Sequence, residues 1–245
     1  MNKSKIEWCD YTWNPITGCL HGCPYCYARG ITRRFGVKER DDKNCHCLDY
    51  PETASSFRGS VNVPYPYGFS PTFHRYRLDE PQAVRKPQNI FVCSMADLFG
   101  DWVPDEWIEE VFAACAKAPQ HRYLFLTKNP RRYEALNYAG ILPKEHWYGT
   151  SLNKRDDDIF CSDEYNTFLS IEPIQERLGI DTQIKNNWVI VGAETGNRKN
   201  KVEVKREWLE DIKEACAKDK VPLFMKNSLK PIWGDELIQQ FPWEV

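Results

Sequence analysis

The chain has 245 residues, 42% hydrophobic and 13% aromatic, enough apolar mass for one large α/β domain or two small ones. Its net charge is −2 and its pI about 6.2, which excludes a protein that grips nucleic acid through bulk positive charge, though not a local basic groove. No apolar stretch approaches a membrane span and residues 1–10 lack the apolar run of a secretory signal, so the sequence predicts a cytoplasmic chain with no membrane partner. Ten cysteines then read as reduced thiols, because a chain of this size needs no disulfide staples and reduced thiols suit metal binding.

In chain order, a short strand is predicted from about Ile6 to Trp13, leading into Cys19-Leu-His-Gly-Cys23-Pro-Tyr-Cys26. This is C-x3-C-x2-C, and a helix from about Tyr27 to Phe35 follows it directly. A structural zinc site or an electron-transfer iron–sulfur site normally closes its coordination with four protein ligands. Three thiolates on one tight loop can instead hold three irons of a four-iron cluster and leave the fourth open. An open metal position is where a substrate or cosubstrate binds. His21, inside the loop, reads most simply as solvent-facing. Arg29, Arg33, Arg34, Lys38 and Arg40 form a basic cluster just after it.

Residues 41–87 break the rhythm. They are rich in Pro, Gly, Ser and Tyr with no sustained period, and read as an insertion or lid after the first helix. Cys45-His46-Cys47 within it reads as surface thiols rather than a second metal site. Tyr65, Tyr67, Phe69, Phe73 and Tyr76 lie beside His74, Arg75 and Arg77. Such a segment either stacks bases and holds phosphates, or packs the loop down as an aromatic mini-core.

From there short apolar runs alternate with helical patterns. The runs are 89–93, 122–126, 146–149, 167–171, 188–191 and 221–225, continuous as in strands buried on both faces. Helices are predicted over Asp105–Lys117, Arg131–Ala139 and Val204–Lys218, with Pro104 and Asn129-Pro130 as start signals and Cys115 and Cys216 on core-facing stripes. The alternation predicts parallel βαβ units, hence a barrel or an open doubly wound sheet.

The strands end in polar residues. Cys93 closes the first run and Ser94 and Asp97 follow it, Lys128 and Asn129 follow the second, and Ser151 and Asn153 the third; Glu172, Glu194 and Lys226 follow the rest. Ligands of parallel α/β sheets bind at these carboxyl ends. Helix caps and loop polarity account for some of these residues. Charges at the edge of a buried strand, such as Glu172, Glu194 and Lys226, need partners or a ligand.

Cys19-x3-Cys23-Pro-Tyr25-Cys26 resembles the cluster loop of the radical S-adenosylmethionine (SAM) superfamily. The wider pattern, in Thr12-Trp-Asn-Pro-Ile-Thr-Gly-Cys19, Ser94-Met-Ala-Asp-Leu-Phe99, Leu126-Thr-Lys128, Ser170-Ile-Glu-Pro173 and Val189-Ile-Val-Gly-Ala-Glu194, resembles a phage- and prokaryote-associated branch of unassigned function. The resemblance implies a partial (β/α)6, TIM-like barrel of parallel strands over 1–245 as a single domain, with 41–87 inserted in it. It implies a 4Fe–4S cluster on Cys19, Cys23 and Cys26, whose open iron chelates SAM. One electron, from a reductant such as flavodoxin or ferredoxin, then yields methionine and a 5′-deoxyadenosyl radical that takes hydrogen from substrate. Tyr25 would lie near the adenine, Ser94 and Asp97 near the methionyl amino group, and Ser151 and Asn153 at the ribose hydroxyls or methionyl carboxylate. The strand ending in Glu194 would flank the adenine. Glu172 and Lys226 remain as substrate-side candidates, and Cys93 as a candidate hydrogen-atom donor, against the simpler reading of a small buried hydrophobe.

The basic–aromatic segment, with a distant similarity in cluster spacing to spore photoproduct lyase, points to a nucleotide or nucleic-acid substrate. The competing reading is a non-catalytic zinc- or nucleic-acid-binding module using the same cysteines, with His21 or Cys45 as fourth ligand.

Overall fold

Every apolar run singled out from Asn89 onward forms a strand in the computed structural model of the chain, which describes residues 1–56, 59–179 and 184–244. The chain is mixed α/β with mostly parallel strands. It divides into two compact units, Met1–Phe125 and Leu126–Val245.

In the first unit, β1 (Asn2–Lys3) runs antiparallel to β2 (Tyr11–Trp13). The predicted strand from Ile6 is thus confined to its last three residues. Ser4 Oγ accepts from the Ile6 N–H at 2.8 Å and the Cys9 N–H donates to the Ile6 carbonyl at 3.3 Å, so a local turn takes the ladder's donors. The turn buries Trp8. After β3 (Ile16–Thr17) and the cysteine loop comes α1 (Tyr27–Phe35), with the predicted limits.

The insertion is more ordered than its composition suggests. It holds β4 (His46–Leu48), an antiparallel pair β5 (Thr53–Ser56) and β6 (Gly59–Asn62), and β7 (Thr72–His74). β3, β7 and β4 make a three-stranded sheet of their own. The basic–aromatic segment is internal packing, the mini-core alternative. Phe73 and His74 are fully buried, and Thr17 Oγ1 lies 2.8 Å from His74 Nε2. Arg75 is held by Glu110 and Asp49, and Arg77 by the Asn14 carbonyl at 3.1 Å. Tyr67 stacks on His46 at 3.7 Å.

β8 (Asn89–Val92), α2 (Asp105–Ala116) and β9 (Arg122–Thr127) complete a βαβ unit in which β8 pairs parallel to both β2 and β9. The inward stripe of α2 is Ile108, Val111, Phe112 and Cys115, as its spacing predicts.

The second unit holds α3 (Arg131–Tyr138), β10 (Trp147–Ser151), β11 (Asn166–Ile171), β12 (Trp188–Val191), α4 (Arg206–Asp219), β13 (Leu223–Met225) and α5 (Lys230–Trp233). Strands β10 to β13 pair in sequence order, all parallel. Residues of β10 and β12 are buried throughout, which is why their sequences show no alternation. The helix alternation is incomplete. Among the described residues, the links from β10 to β11 and from β11 to β12 carry no helix. Leu209, Ile212 and Cys216 of α4 pack with Val189, Leu223 and Met225 in one apolar cluster. All ten cysteines are free, and among the described residues no helix is long and apolar enough to cross a membrane.

The buried His74 yields a pH prediction. Burial, aided by the nearby Arg77 guanidinium, depresses its pKa from 6.5 to about 3; in the second unit burial takes His146 down to about 4. Between the depressed folded value and the unfolded one, the unfolded chain binds more protons, so stability is full above about pH 6.5 and declines as pH falls toward those values. We expect urea midpoints to fall from pH 7 to pH 4.5, and the fall to be shallower in His74→Gln. An unchanged slope in that variant contradicts the burial account.

Candidate metal centre and strand-end site

The cysteine loop is fixed by backbone contacts on both flanks. Its entry residue, Gly18, donates its N–H to the Met95 carbonyl at 2.9 Å, and Cys19 donates to the Phe69 carbonyl at 3.2 Å. Gly18 sits at φ +87°, and a β-carbon there would lie 2.2 Å from the Ser70 carbonyl oxygen. Glycine is therefore required twice over, by conformation and by space. At the exit, Cys26 caps α1, its sulfur accepting from the Arg29 N–H at 3.4 Å.

Two further contacts tie the loop to the end of β8. His21 Nε2 lies 2.7 Å from Asp97 Oδ2, and Asp97 Oδ1 accepts from the Phe99 N–H at 3.0 Å. Tyr27 O–H donates to the Ser94 carbonyl at 2.5 Å. His21 is therefore not a free solvent-facing residue but a tether. Asn14 Oδ1 accepts from Ser94 Oγ at 3.1 Å and from the Met95 N–H at 2.9 Å, shaping the turn after β8.

Cys19, Cys23 and Cys26 line one cavity of about 640 Å³. All three are free and half-buried. Burial pushes the Cys19 thiol up to about 12, against the His21 backbone hydrogen bond, which favours the thiolate. A metal would deprotonate it. The cavity wall also carries Arg29, Arg33, Asp41, Lys43 and Phe69, so the insertion does contribute to the site. The Arg29 guanidinium reaches the Cys19 carbonyl at 3.4 Å and lies 4.6 Å above the Phe69 ring. Three soft thiolate donors around a roomy, cation-lined cavity fit an iron–sulfur cluster, which takes each sulfur on a separate iron. Among the described residues, no group of three or more His, Cys, Asp or Glu side chains is drawn together tightly enough for a single ion.

Cys93 stands apart. It ends β8 at φ +60°, is 3% exposed and does not line the cavity, and burial pushes its thiol up to about 12. These are the surroundings of an inert core thiol. Tyr25 is half-buried in the loop. Cys45 is exposed, its sulfur 3.0 Å from the Trp102 carbonyl oxygen.

In the second unit the sheet register assembles a separate polar group. Ile171, Val191 and Met225 pair across β11, β12 and β13, so the next residues, Glu172, Gly192 and Lys226, come to one level. Lys226 Nζ reaches Glu172 Oε1 at 2.8 Å, and Ser170 Oγ donates to Glu172 Oε2 at 3.2 Å. The pair closes over Gly192, where a β-carbon would lie 2.9 Å from Glu172 Oε1 and 3.1 Å from Lys226 Cδ. Nearby, Lys128 Nζ donates to Ser151 Oγ at 2.7 Å and to Asn153 Oδ1. Asn153 Nδ2 in turn donates to the carbonyl of Pro173 at 2.9 Å, linking this group to the Glu172 turn. The Glu194 side chain is 5% exposed and gripped by both Nε and Nη2 of Arg198, which hold its carboxyl below the usual range. Sequence reasoning named Glu172, Lys226, Ser151 and Asn153. It gave Lys128, Gly192 and Arg198 no role, because their partners are set by strand register and loop closure.

Residues 3–237 match the model of a family described as "Protein of unknown function (DUF5131)". No curated protein matches the chain. Among solved structures, the chain is similar in fold to a Cys-to-Ser mutant of spore photoproduct lyase, at 10% identity and a TM-score of 0.50, over 91% of this chain and 78% of that one.

Gly18→Ala should cost roughly 2–4 kcal/mol, because the new β-carbon meets a backbone carbonyl that cannot rotate away and the left-handed φ adds strain. Urea unfolding of the first unit checks this. A loss below about 0.5 kcal/mol, within the range of ordinary surface changes, would show that the loop is not pinned here.

Proposed function

We propose that this chain, which belongs to the DUF5131 family, is a radical SAM enzyme whose Cys19, Cys23 and Cys26 hold a 4Fe–4S cluster with one iron open. The observation that carries the reading is that three free thiols of one C-x3-C-x2-C loop line a single cavity. Similarity in fold to spore photoproduct lyase supports the same general kind, with the partial (β/α)6 barrel that the superfamily implies. When bound, the cluster and SAM would supply reductive cleavage to methionine and a 5′-deoxyadenosyl radical able to take a hydrogen atom from substrate.

The chain's own residues position and shield. His21 and Asp97 orient the cluster loop, so Asp97 serves that loop rather than the methionyl amino group. Arg29, lying over Phe69, lines the cavity and brings positive charge near sulfurs that would be anionic when holding a metal. Tyr25 and Ser94 remain the candidates for SAM in the first unit; Ser151, Asn153 and the Glu194 strand end are those in the second. Lys128 joins Ser151 and Asn153, its ammonium suited to a carboxylate. Glu172 and Lys226 are the substrate-side pair, with Lys226 Nζ the donor and Glu172 Oε1 the acceptor. Cys93, buried away from the cavity, is given no reacting role. The nucleotide substrate loses the support of the basic–aromatic segment, whose His74, Arg75 and Arg77 are engaged within the first unit.

Anaerobic reconstitution tests this. Cys23→Ala should lose nearly all bound iron and sulfide. Glu172→Gln and Lys226→Met should keep the iron, keep 5′-deoxyadenosine formation, and slow substrate conversion by about 10²–10⁴ if the pair moves a proton. A colourless zinc protein, or iron loss in the Glu172 or Lys226 variants, would contradict the division of roles.

A further inference from the structure

Among the described residues, two cations on the wall of the thiol cavity are not used by the chain itself. Arg29 is engaged, with the Cys19 carbonyl and the Phe69 ring. Arg33 and Lys43 line the same cavity and are exposed, and among the described residues their side chains make no hydrogen bond, ion pair or ring contact. Asp41, the carboxylate on that wall, is turned to Ser70, whose Oγ donates to its Oδ1 at 3.2 Å. The exposed side of the cavity thus presents two uncompensated positive charges, in a chain of net charge −2.

Lys43 is held there at a conformational cost. Its φ is +64°, a left-handed value that side chains rarely adopt and that persists only where the surroundings impose it. Lys220 shares that conformation, but it closes helix α4, where it is ordinary. Lys43 closes no α-helix. Its turn is pinned instead to the insertion: the Lys43 N–H donates to Ser70 Oγ at 2.9 Å, and Asp41 packs so close to Gly68 that a β-carbon there would lie 2.8 Å from Asp41 Cβ. Ser70 is also the residue whose carbonyl abuts Gly18, so it fixes both the entry to the cysteine loop and the turn that carries the lysine. On α1, Gly30 lines the cavity too, and a β-carbon on it would meet nothing within 4 Å. Glycine inside a helix weakens it relative to alanine, so what Gly30 contributes is a bare stretch of wall near Arg33.

We infer that Arg33 and Lys43 form a subsite for a phosphate group of the substrate. The inference deepens the reading above and rests on it for the reaction that the bound molecule would undergo. A phosphate monoester carries about two negative charges near neutral pH and matches two cations, where a carboxylate carries one. Lysine supplies a point charge, and arginine a planar fork that meets two oxygens at once. SAM is the opposite case. Its sulfonium and ammonium outweigh its carboxylate, so these cations oppose it and favour an anionic co-reactant.

The test uses the full chain, first without a cluster. Titration calorimetry at low ionic strength measures binding of inorganic phosphate, adenosine monophosphate, adenosine and acetate. Phosphate and the nucleotide should bind, adenosine should not, and acetate should bind at least tenfold more weakly than phosphate. Tighter binding of the nucleotide than of phosphate makes the source a nucleotide; equal binding makes it another phosphate ester. Arg33→Ala combined with Lys43→Ala should weaken phosphate binding tenfold or more, with the difference shrinking at about 0.5 M salt. Arg33→Lys should keep part of the affinity. Lys43→Gly should lose affinity while keeping or raising the unfolding temperature, because glycine takes the left-handed φ without strain. Phosphate binding indifferent to these replacements, or matched by acetate, would overturn the inference. Reconstituted protein supplies the second arm. Loss of iron in the double variant would also overturn it, by assigning the pair to the cluster's own charge. So would weakened SAM binding in place of weakened phosphate binding, which assigns the pair to the SAM carboxylate. A wild-type chain that binds phosphate but takes up no iron sinks the cofactor reading and leaves the anion subsite, whereas iron-replete protein that binds no phosphate sinks the subsite alone.

Discussion

One close approach holds the cysteine loop in place: the backbone at Gly18 runs so near the Ser70 carbonyl that a β-carbon would sit 2.2 Å from its oxygen. This contact sets the path of the chain into Cys19. The inserted segment supplies Ser70 and Phe69, so it is part of the mould in which the thiols are set. The contacts to Met95, Ser94 and Asp97 fasten the same loop to the end of β8. Few of these are strong alone, since a net hydrogen bond contributes about 1 kcal/mol. Together they fix both ends and the middle of an eight-residue loop that carries the three thiols.

The charge layout follows a consistent logic. Around the thiols the wall is cationic, with Arg29, Arg33 and Lys43 against Asp41, which suits ligands that become anionic when metal binds. In the second unit the charges are instead neutralised locally, Lys226 by Glu172 and Arg198 by Glu194. A half-buried pair such as Glu172–Lys226 contributes little net stability because desolvation opposes attraction.

Much of the fold was legible because buried parallel strands leave continuous apolar runs. The run 188–191 matches β12 residue for residue, and Tyr27–Phe35 matches α1. The cysteine loop was legible because ligand spacing is local. What failed was non-local. His21 and Asp97 are 76 positions apart, so nothing in the loop's own sequence discloses the tether. The basic–aromatic segment looked like a nucleic-acid surface because sequence shows side-chain types and not their burial. His74 sits inside a small sheet whose strands β3, β7 and β4 are short and far apart in the chain. Gly192 carries no mark of its own in the sequence; register places it between Glu172 and Lys226.

The central claim is that the three thiols hold a cluster with one iron free for a small-molecule ligand. ⁵⁷Fe Mössbauer spectroscopy of the anaerobically reconstituted chain, with and without SAM, tests it most directly. The account predicts a four-iron signal in which one iron shifts on adding SAM and the other three stay put. A cluster whose irons are all indifferent to SAM, or no iron signal at all, would contradict it.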